Sequence, residues 1–154
     1  MIELTEWQEM VERFEKNGAA EYAIEWAKNV SGTQKATIDA MIDREARWAL
    51  WGIKYASLKL TQDQIDRCAK KEPITAIRYA AEYLTQEQID NGTKDCPHLS
   101  LRFAAQYLSK ETLDECAKKE PWYALEFASQ YLSKEQIDWC RKRYEFLKLC
   151  STIR

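Results

Sequence analysis

The stretch CAKKEPITAIRYAAEYLTQEQID, Cys68–Asp90, returns as CAKKEPWYALEFASQYLSKEQID, Cys116–Asp138. Its closing words recur at a fixed step of 24 residues: LTQDQID from Leu60, LTQEQID from Leu84, LSKETLD from Leu108 and LSKEQID from Leu132. The segments between them align too, with ALWGIKYASLKL from Ala49, PITAIRYAAEYL from Pro73, PHLSLRFAAQYL from Pro97 and PWYALEFASQYL from Pro121. Self-similarity at a fixed period is the mark of a repeat architecture, in which each unit is one supersecondary element.

Each unit reads as two short helices. The first opens on proline, which suits the first helical position because the N–H it lacks would have no intrahelical partner there. Ala76, Ile77, Ala80 and Leu84 in one unit, and Ala124, Leu125, Ala128 and Leu132 in another, fall at helical spacing. Alanine at 80, 104 and 128 implies close approach between helices. The second helix opens on a capping box, with a hydroxyl at the N-cap and Gln three residues on. Thr61/Gln64, Thr85/Gln88 and Ser133/Gln136 fit it, and Ser109/Thr112 fits in part. Ile65, Ile89, Leu113 and Ile137 then face inward.

The first third spells the same design more loosely. Thr5/Gln8 and Ser31/Gln34 are further capping boxes, Trp7, Met10, Val11 and Phe14 form an apolar stripe, and Asn17-Gly18 ends that helix. AAEYAIEWAKNV, from Ala19, is similar to the first helix of a unit. About three extra residues between Thr33 and Trp51 predict one longer helix there. After Cys140 the expected proline gives way to RKRYEFLKLC, a closing helix. The expectation is an all-α chain, an α-solenoid of about five helical hairpins in one domain. Residues 1–48 are divergent repeats or a cap, 49–140 the regular repeats and 141–154 a C-terminal capping helix.

Over residues 49–140, the proline that opens one helix and the LT-x-EQ that opens the next resemble the leucine-rich repeat variant class. That resemblance implies a right-handed superhelix of short α and 3₁₀ pieces. One known arrangement of the class adds a cysteine-rich iron–sulfur segment, and nothing in this sequence matches it. The units also resemble short helical repeats of small bacteriophage and mobile-element proteins.

Composition bounds the function. The chain has 154 residues, 45% hydrophobic and 31% charged, with four Gly and three Pro, as expected of a helical soluble protein. No apolar run approaches the roughly 20 residues a bilayer requires. The acidic start MIELTEWQEM lacks a signal-peptide pattern. The expected location is cytoplasmic, the host cytoplasm if a phage encodes the chain, and the five cysteines are expected as reduced thiols. A net charge of −2 argues against nucleic acid as the general partner. The charge is uneven, though. Residues 1–50 carry six Lys/Arg against ten Asp/Glu, and residues 139–154 five against one.

Cys68, Cys116 and Cys140 share one repeat position, held by Gly92 in the odd unit. Metal ligands lie a few residues apart. Packed helices stand about 8–10 Å apart, beyond the roughly 7 Å between disulfide-linked Cα atoms. These cysteines are expected as buried packing residues, and no cofactor is expected. Asp66, Asp90, Asp114 and Asp138 form a second ladder, each with lysine four residues on at Lys70, Lys94, Lys118 and Lys142, a spacing that predicts ion pairs on a solvated face rather than acid–base chemistry. The lone histidine, His98, lies close to Cys96 in DNGTKDCPHLS, where Asn91-Gly92 predicts a shortened or loosened helix. The Cys/His pair lacks an evident third group to orient it, and phosphate-loop, GxSxG and HExxH patterns are absent. The chain is not expected to be an enzyme.

Variation inside the repeats says more. The two residues after each proline position change completely, from Leu50-Trp51 to Ile74-Thr75, His98-Leu99 and Trp122-Tyr123, over a nearly constant framework. Repeat proteins present binding surfaces in this way. The expected partner-binding residues are Trp51, Thr75, Leu99, Trp122 and Tyr123. Glu3, Glu6, Glu9 and Glu12 form an acidic docking face. The expected function is non-enzymatic binding of another protein, by a phage or mobile-element accessory protein that inhibits a host defence factor. Two alternatives are a nucleic-acid binder using Arg141, Lys142 and Arg143, and a redox or metal protein using Cys96 and its neighbours.

Overall fold

A computed structural model describes residues 4–29 and 34–152. Among these residues every regular element is helical, so the chain is all-α. The α-helices are α1 (Leu4–Lys16), α2 (Glu21–Asn29), α3 (Gln34–Ala56), α4 (Gln62–Lys71), α5 (Pro73–Ala80), α6 (Gln86–Asp95), α7 (Pro97–Phe103), α8 (Lys110–Lys119), α9 (Pro121–Phe127) and α10 (Lys134–Thr152). Single 3₁₀ turns, Ala81–Tyr83, Ala105–Tyr107 and Ser129–Tyr131, follow α5, α7 and α9. The chain forms two compact units, Met1–Tyr83 and Leu84–Arg154.

In the first unit, α1 packs on α2 and α3, and α3 on α4 and α5. Met10, Val11 and Phe14 of α1 are buried, as their spacing requires. Gly18, at φ 72°, ends α1: its N–H bonds Glu15 O and that of Ala19 bonds Phe14 O, a Schellman pair. The start of α1 differs from expectation, for the helix begins at Leu4 and makes Thr5 its second residue instead of its cap. Ser31, the other expected cap, lies outside the described residues.

The long helix expected across the insertion is broken. Glu45 has φ −159° and ψ 92°, so α3 is two helices meeting at a kink. In the later units the corresponding turn residue directly precedes proline, at Glu72, Cys96 and Glu120, with φ from −129° to −139° and ψ of 64–66°. Proline's ring excludes its predecessor from the α region, so one residue serves as C-cap of one helix and N-cap of the next. The extra residues before Ala49 move this turn back to Glu45, and Ala46, Arg47 and Trp48 lengthen the helix that follows. Trp48 then packs between Tyr22 and Trp26, with ring centroids 5.3 and 5.6 Å away.

The second unit holds α6 to α10. Its core is Leu101, Ala105, Leu113, Cys116, Ala117, Ala124, Ala128 and Cys140. Ile65 and Ile89 are buried like Leu113, whereas Ile137 is only half-buried. The helix expected to loosen at Asn91-Gly92 does not: α6 has ten residues, like α4 and α8. Gly92 is buried at the cysteine position, and Thr93 Oγ1 ties the turn by donating to Ile89 O at 2.7 Å. The C-terminal capping helix is not a separate element either. Glu145 stands where proline would recur, so nothing breaks the helix and α10 runs on for 19 residues.

The capping boxes form at Thr61/Gln64, Thr85/Gln88 and Ser133/Gln136. Past Thr61, Ser109 and Ser133, the residue three places on also reaches another helix. Gln64 Nε2 donates to Asp39 at 3.2 Å within the first unit. In the second, Thr112 Oγ1 donates to Asp90 at 2.8 Å and Gln136 Nε2 to Asp114 at 3.0 Å. Asp90 and Asp114 of the ladder are thus engaged between helices, which corrects the uniform i,i+4 expectation. Lys118 does pair with Asp114, but Lys94 bonds Asn91 and Asp138 meets Arg141 at 3.8 Å.

Two substitutions test this framework. A Cβ at Gly52 would lie 2.9 Å from the Phe14 ring and 3.1 Å from Leu58. Gly52→Ala is expected to destabilise the protein by about 1–3 kcal/mol in urea titration. The Gln136 amide and then Lys118 hold the Asp114 carboxyl below its usual range. A lowered folded pKa contributes stability above the unfolded value of about 3.9 and loses it as pH falls through the folded value. Asp114→Asn should cost about 0.5–1.5 kcal/mol at neutral pH, and the gap from wild type should narrow below about pH 4.

Candidate functional site

The helices α7 and α9 pack together, each opening on its proline. Beneath α9 the chain places Ala124 and Ala128, both fully buried, so large rings have no room on that side. They collect on the other. Tyr123, half-buried against the core, meets His98 of α7 at 5.3 Å and Phe127 one turn on at 5.8 Å. Trp122 stands edge-on to Tyr123 at 4.7 Å and to Phe127 at 6.1 Å. The Arg102 guanidinium lies 5.2 Å from the Phe127 ring and 5.1 Å from Phe103. His98, Tyr123, Trp122, Phe127 and Arg102 thus form one connected aromatic and cationic face. Trp122 keeps 42% of its surface open although rings fix its orientation.

The expected binding residues divide. Trp122 and Tyr123 lie in this face, and Leu99 is half-buried on α7. Trp51 and Thr75 belong to the first unit. There Trp51 is packed, 5.2 Å from Phe14 and 5.0 Å from Tyr55, and the Thr75 hydroxyl donates to the Glu72 carboxylate at 3.2 Å. Arg102, Phe127 and Phe103 were not expected. Their signal was helical spacing, since Arg102 follows His98 by four residues and Phe127 follows Tyr123 by four.

On α1, Glu9 and Glu12 are exposed, with Glu9 beside Arg13 at 3.6 Å, and Glu15 pairs with Lys28 of α2. The acidic face is therefore partly neutralised by its own helices. Glu3 and the Glu6 side chain lie outside the described residues.

The cysteine ladder is buried at Cys68, Cys116 and Cys140. Desolvation pushes the thiols of Cys68 and Cys116 up to about 11 and raises that of Cys140. Such thiols are almost wholly protonated at neutral pH and are poor nucleophiles. Cys96 is the half-buried cap of α7, and His98 contacts the Tyr123 ring. Among the described residues, three or more His, Cys, Asp or Glu side chains are nowhere grouped to hold a metal ion, and no helix is long and apolar enough to cross a membrane. No protein-family model, curated protein or solved structure matches the chain.

Thiol chemistry checks this placement. Under brief iodoacetamide treatment at mildly alkaline pH, exposed Cys150 should alkylate while Cys68, Cys116 and Cys140 remain unmodified. Peptide mass spectrometry reads each site, and early labelling of Cys116 would show that the second core opens.

Proposed function

We propose that the protein is a non-enzymatic helical-repeat protein that binds another protein through the aromatic face of α7 and α9. One observation carries this reading: Trp122 is exposed and yet held edge-on by two rings. Tryptophan, tyrosine and arginine are the residues that anchor protein interfaces. A side chain already fixed before binding loses less rotamer entropy when a partner covers it. Arg102, spread along Phe127, adds donors beside the rings and suits a partner surface that is apolar with a carboxylate at its rim.

The helical-repeat class, with its likeness to leucine-rich repeat variants, draws support from the recurring order of proline-led α-helix, 3₁₀ turn and capped α-helix. A cytoplasmic setting and a host defence factor as partner complete the proposal, the partner resting on the resemblance to repeats of small bacteriophage and mobile-element proteins.

The test is affinity capture from host lysate with wild type and Trp122→Ala side by side. Wild type should retain a partner near stoichiometric amounts, and the variant should retain it with affinity lowered about tenfold or more. Circular dichroism should not distinguish the two, because Trp122 lies outside the core. Equal retention would remove this face from consideration. Tyr123→Ala is a poorer probe, since Tyr123 also packs on the core.

A further inference from the structure

The last side chain that α10 contributes to the second core is Cys140. Beyond it the helix continues, and from Arg141 to Cys150 every residue except half-buried Tyr144 is exposed. Short helices in water draw most of their stability from burying one face, and this segment buries almost none. It nevertheless carries large apolar side chains: Phe146 is 55% exposed and Leu147 44%, after Trp139 at 43%. Trp139, Arg143 and Phe146 are spaced i, i+4 and i+7, so they lie along one side of the helix. The Arg143 guanidinium is 5.6 Å from the Phe146 ring.

Beside this stripe is a shallow cleft of about 200 Å³ between α8 and α10, lined by Ala117, Lys118, Gln136, Trp139 and Cys140 together with Asp114 and Glu135. The two carboxylates there are already engaged, Asp114 by Gln136 and Lys118, and Glu135 by the start of its own helix. Farther along α10, Asp138 meets Arg141 at 3.8 Å, which leaves Lys142 and Arg143 against Glu145 and a positive balance on this side. Two copies meeting through this face would set like charges together. A nucleic-acid duplex would answer the arginines but leave Phe146 and Leu147 in water.

We propose that this face of α10 is a second docking surface, and that it takes an acidic amphipathic helix of a partner protein. The apolar side of that helix would cover Trp139 and Phe146 and place one side chain in the cleft, while its carboxylates meet Lys142 and Arg143. The proposal is independent of the α7/α9 face.

The test uses the full chain and labelled synthetic peptides of about 18 residues, long enough for five helical turns. One peptide has leucine on one face and glutamate on the other, the second has the same composition scrambled, and the third has lysine in place of glutamate. Fluorescence anisotropy should show the leucine–glutamate helix binding at least about tenfold tighter than either control, with Trp139 emission shifted to the blue. Phe146→Asp and Arg143→Glu should each weaken it about tenfold, Arg143→Glu should improve binding of the lysine peptide, and Trp122→Ala should change nothing. Equal binding of all three peptides would overturn the proposal. So would tighter binding of a DNA duplex than of the acidic peptide, or a dimer in light scattering that Phe146→Asp dissociates.

Discussion

One side chain with two duties holds the repeated helices in place. Past the N-caps Thr61, Ser109 and Ser133, the residue three places on closes its own helix and clamps a neighbour. Gln136 Oε1 accepts from the Ser133 N–H at 2.7 Å while its Nε2 donates to Asp114 at 3.0 Å. Gln64 does the same for Thr61 and Asp39. Thr112, whose short side chain does not reach back to the N-cap N–H, accepts from Ser109 Oγ and donates from its own hydroxyl to Asp90, both at 2.8 Å. Each such bond contributes about 1 kcal/mol, so strength is not its main consequence. The bond requires the start of one helix and the middle of another to sit in one register. A slip of either helix would break the clamp and leave the cap side chain's second group without its partner.

Proline supplies the complementary constraint. It limits helices to about two or three turns by forcing its predecessor out of the α region. With caps at one end and proline at the other, α4, α6 and α8 are each ten residues long. Where proline is absent the length is no longer held: α10 reaches 19 residues and α3 reaches 23 with a kink. The exposed basic and apolar tail of α10 therefore follows directly from Glu145 standing in a proline position.

Helix boundaries were legible in the sequence because capping and proline effects act over one turn. Thr61/Gln64 and Pro73 announce their roles within four residues, and alanine at 104, 124 and 128 announces the close core. The kink at Glu45 was hidden because no proline or glycine marks it, and it depends on where the inserted residues fall. The aspartates misled for a different reason. Asp114 has Lys118 at ion-pair spacing, and its other partner, Gln136, lies 22 residues away. Local spacing cannot rank a long-range bond above a short-range one. At the candidate face, variation after the prolines pointed to Trp122 and Tyr123. It passed over Arg102 and Phe127, whose place depends on α7 and α9 lying side by side.

The division between framework and face has a physical basis. At α9, Ala124 and the C-cap Ala128 fill the inner side and leave nothing to vary without clash or cavity, whereas Trp122 turns outward and Tyr123 lies half-buried at the edge of the core. Substitutions at this pair alter ring contacts, exposed surface and, at Tyr123, the edge of the core, but leave the caps, the prolines and the clamps untouched. The copy from Pro73 carries Ile74-Thr75 at that pair, with the same proline start and a helix of nearly the same length. A backbone specified by such short-range rules can hold very different side chains at one position. That freedom is what a binding surface requires, and it explains why the most variable pair in the repeat is also the pair that carries the exposed tryptophan.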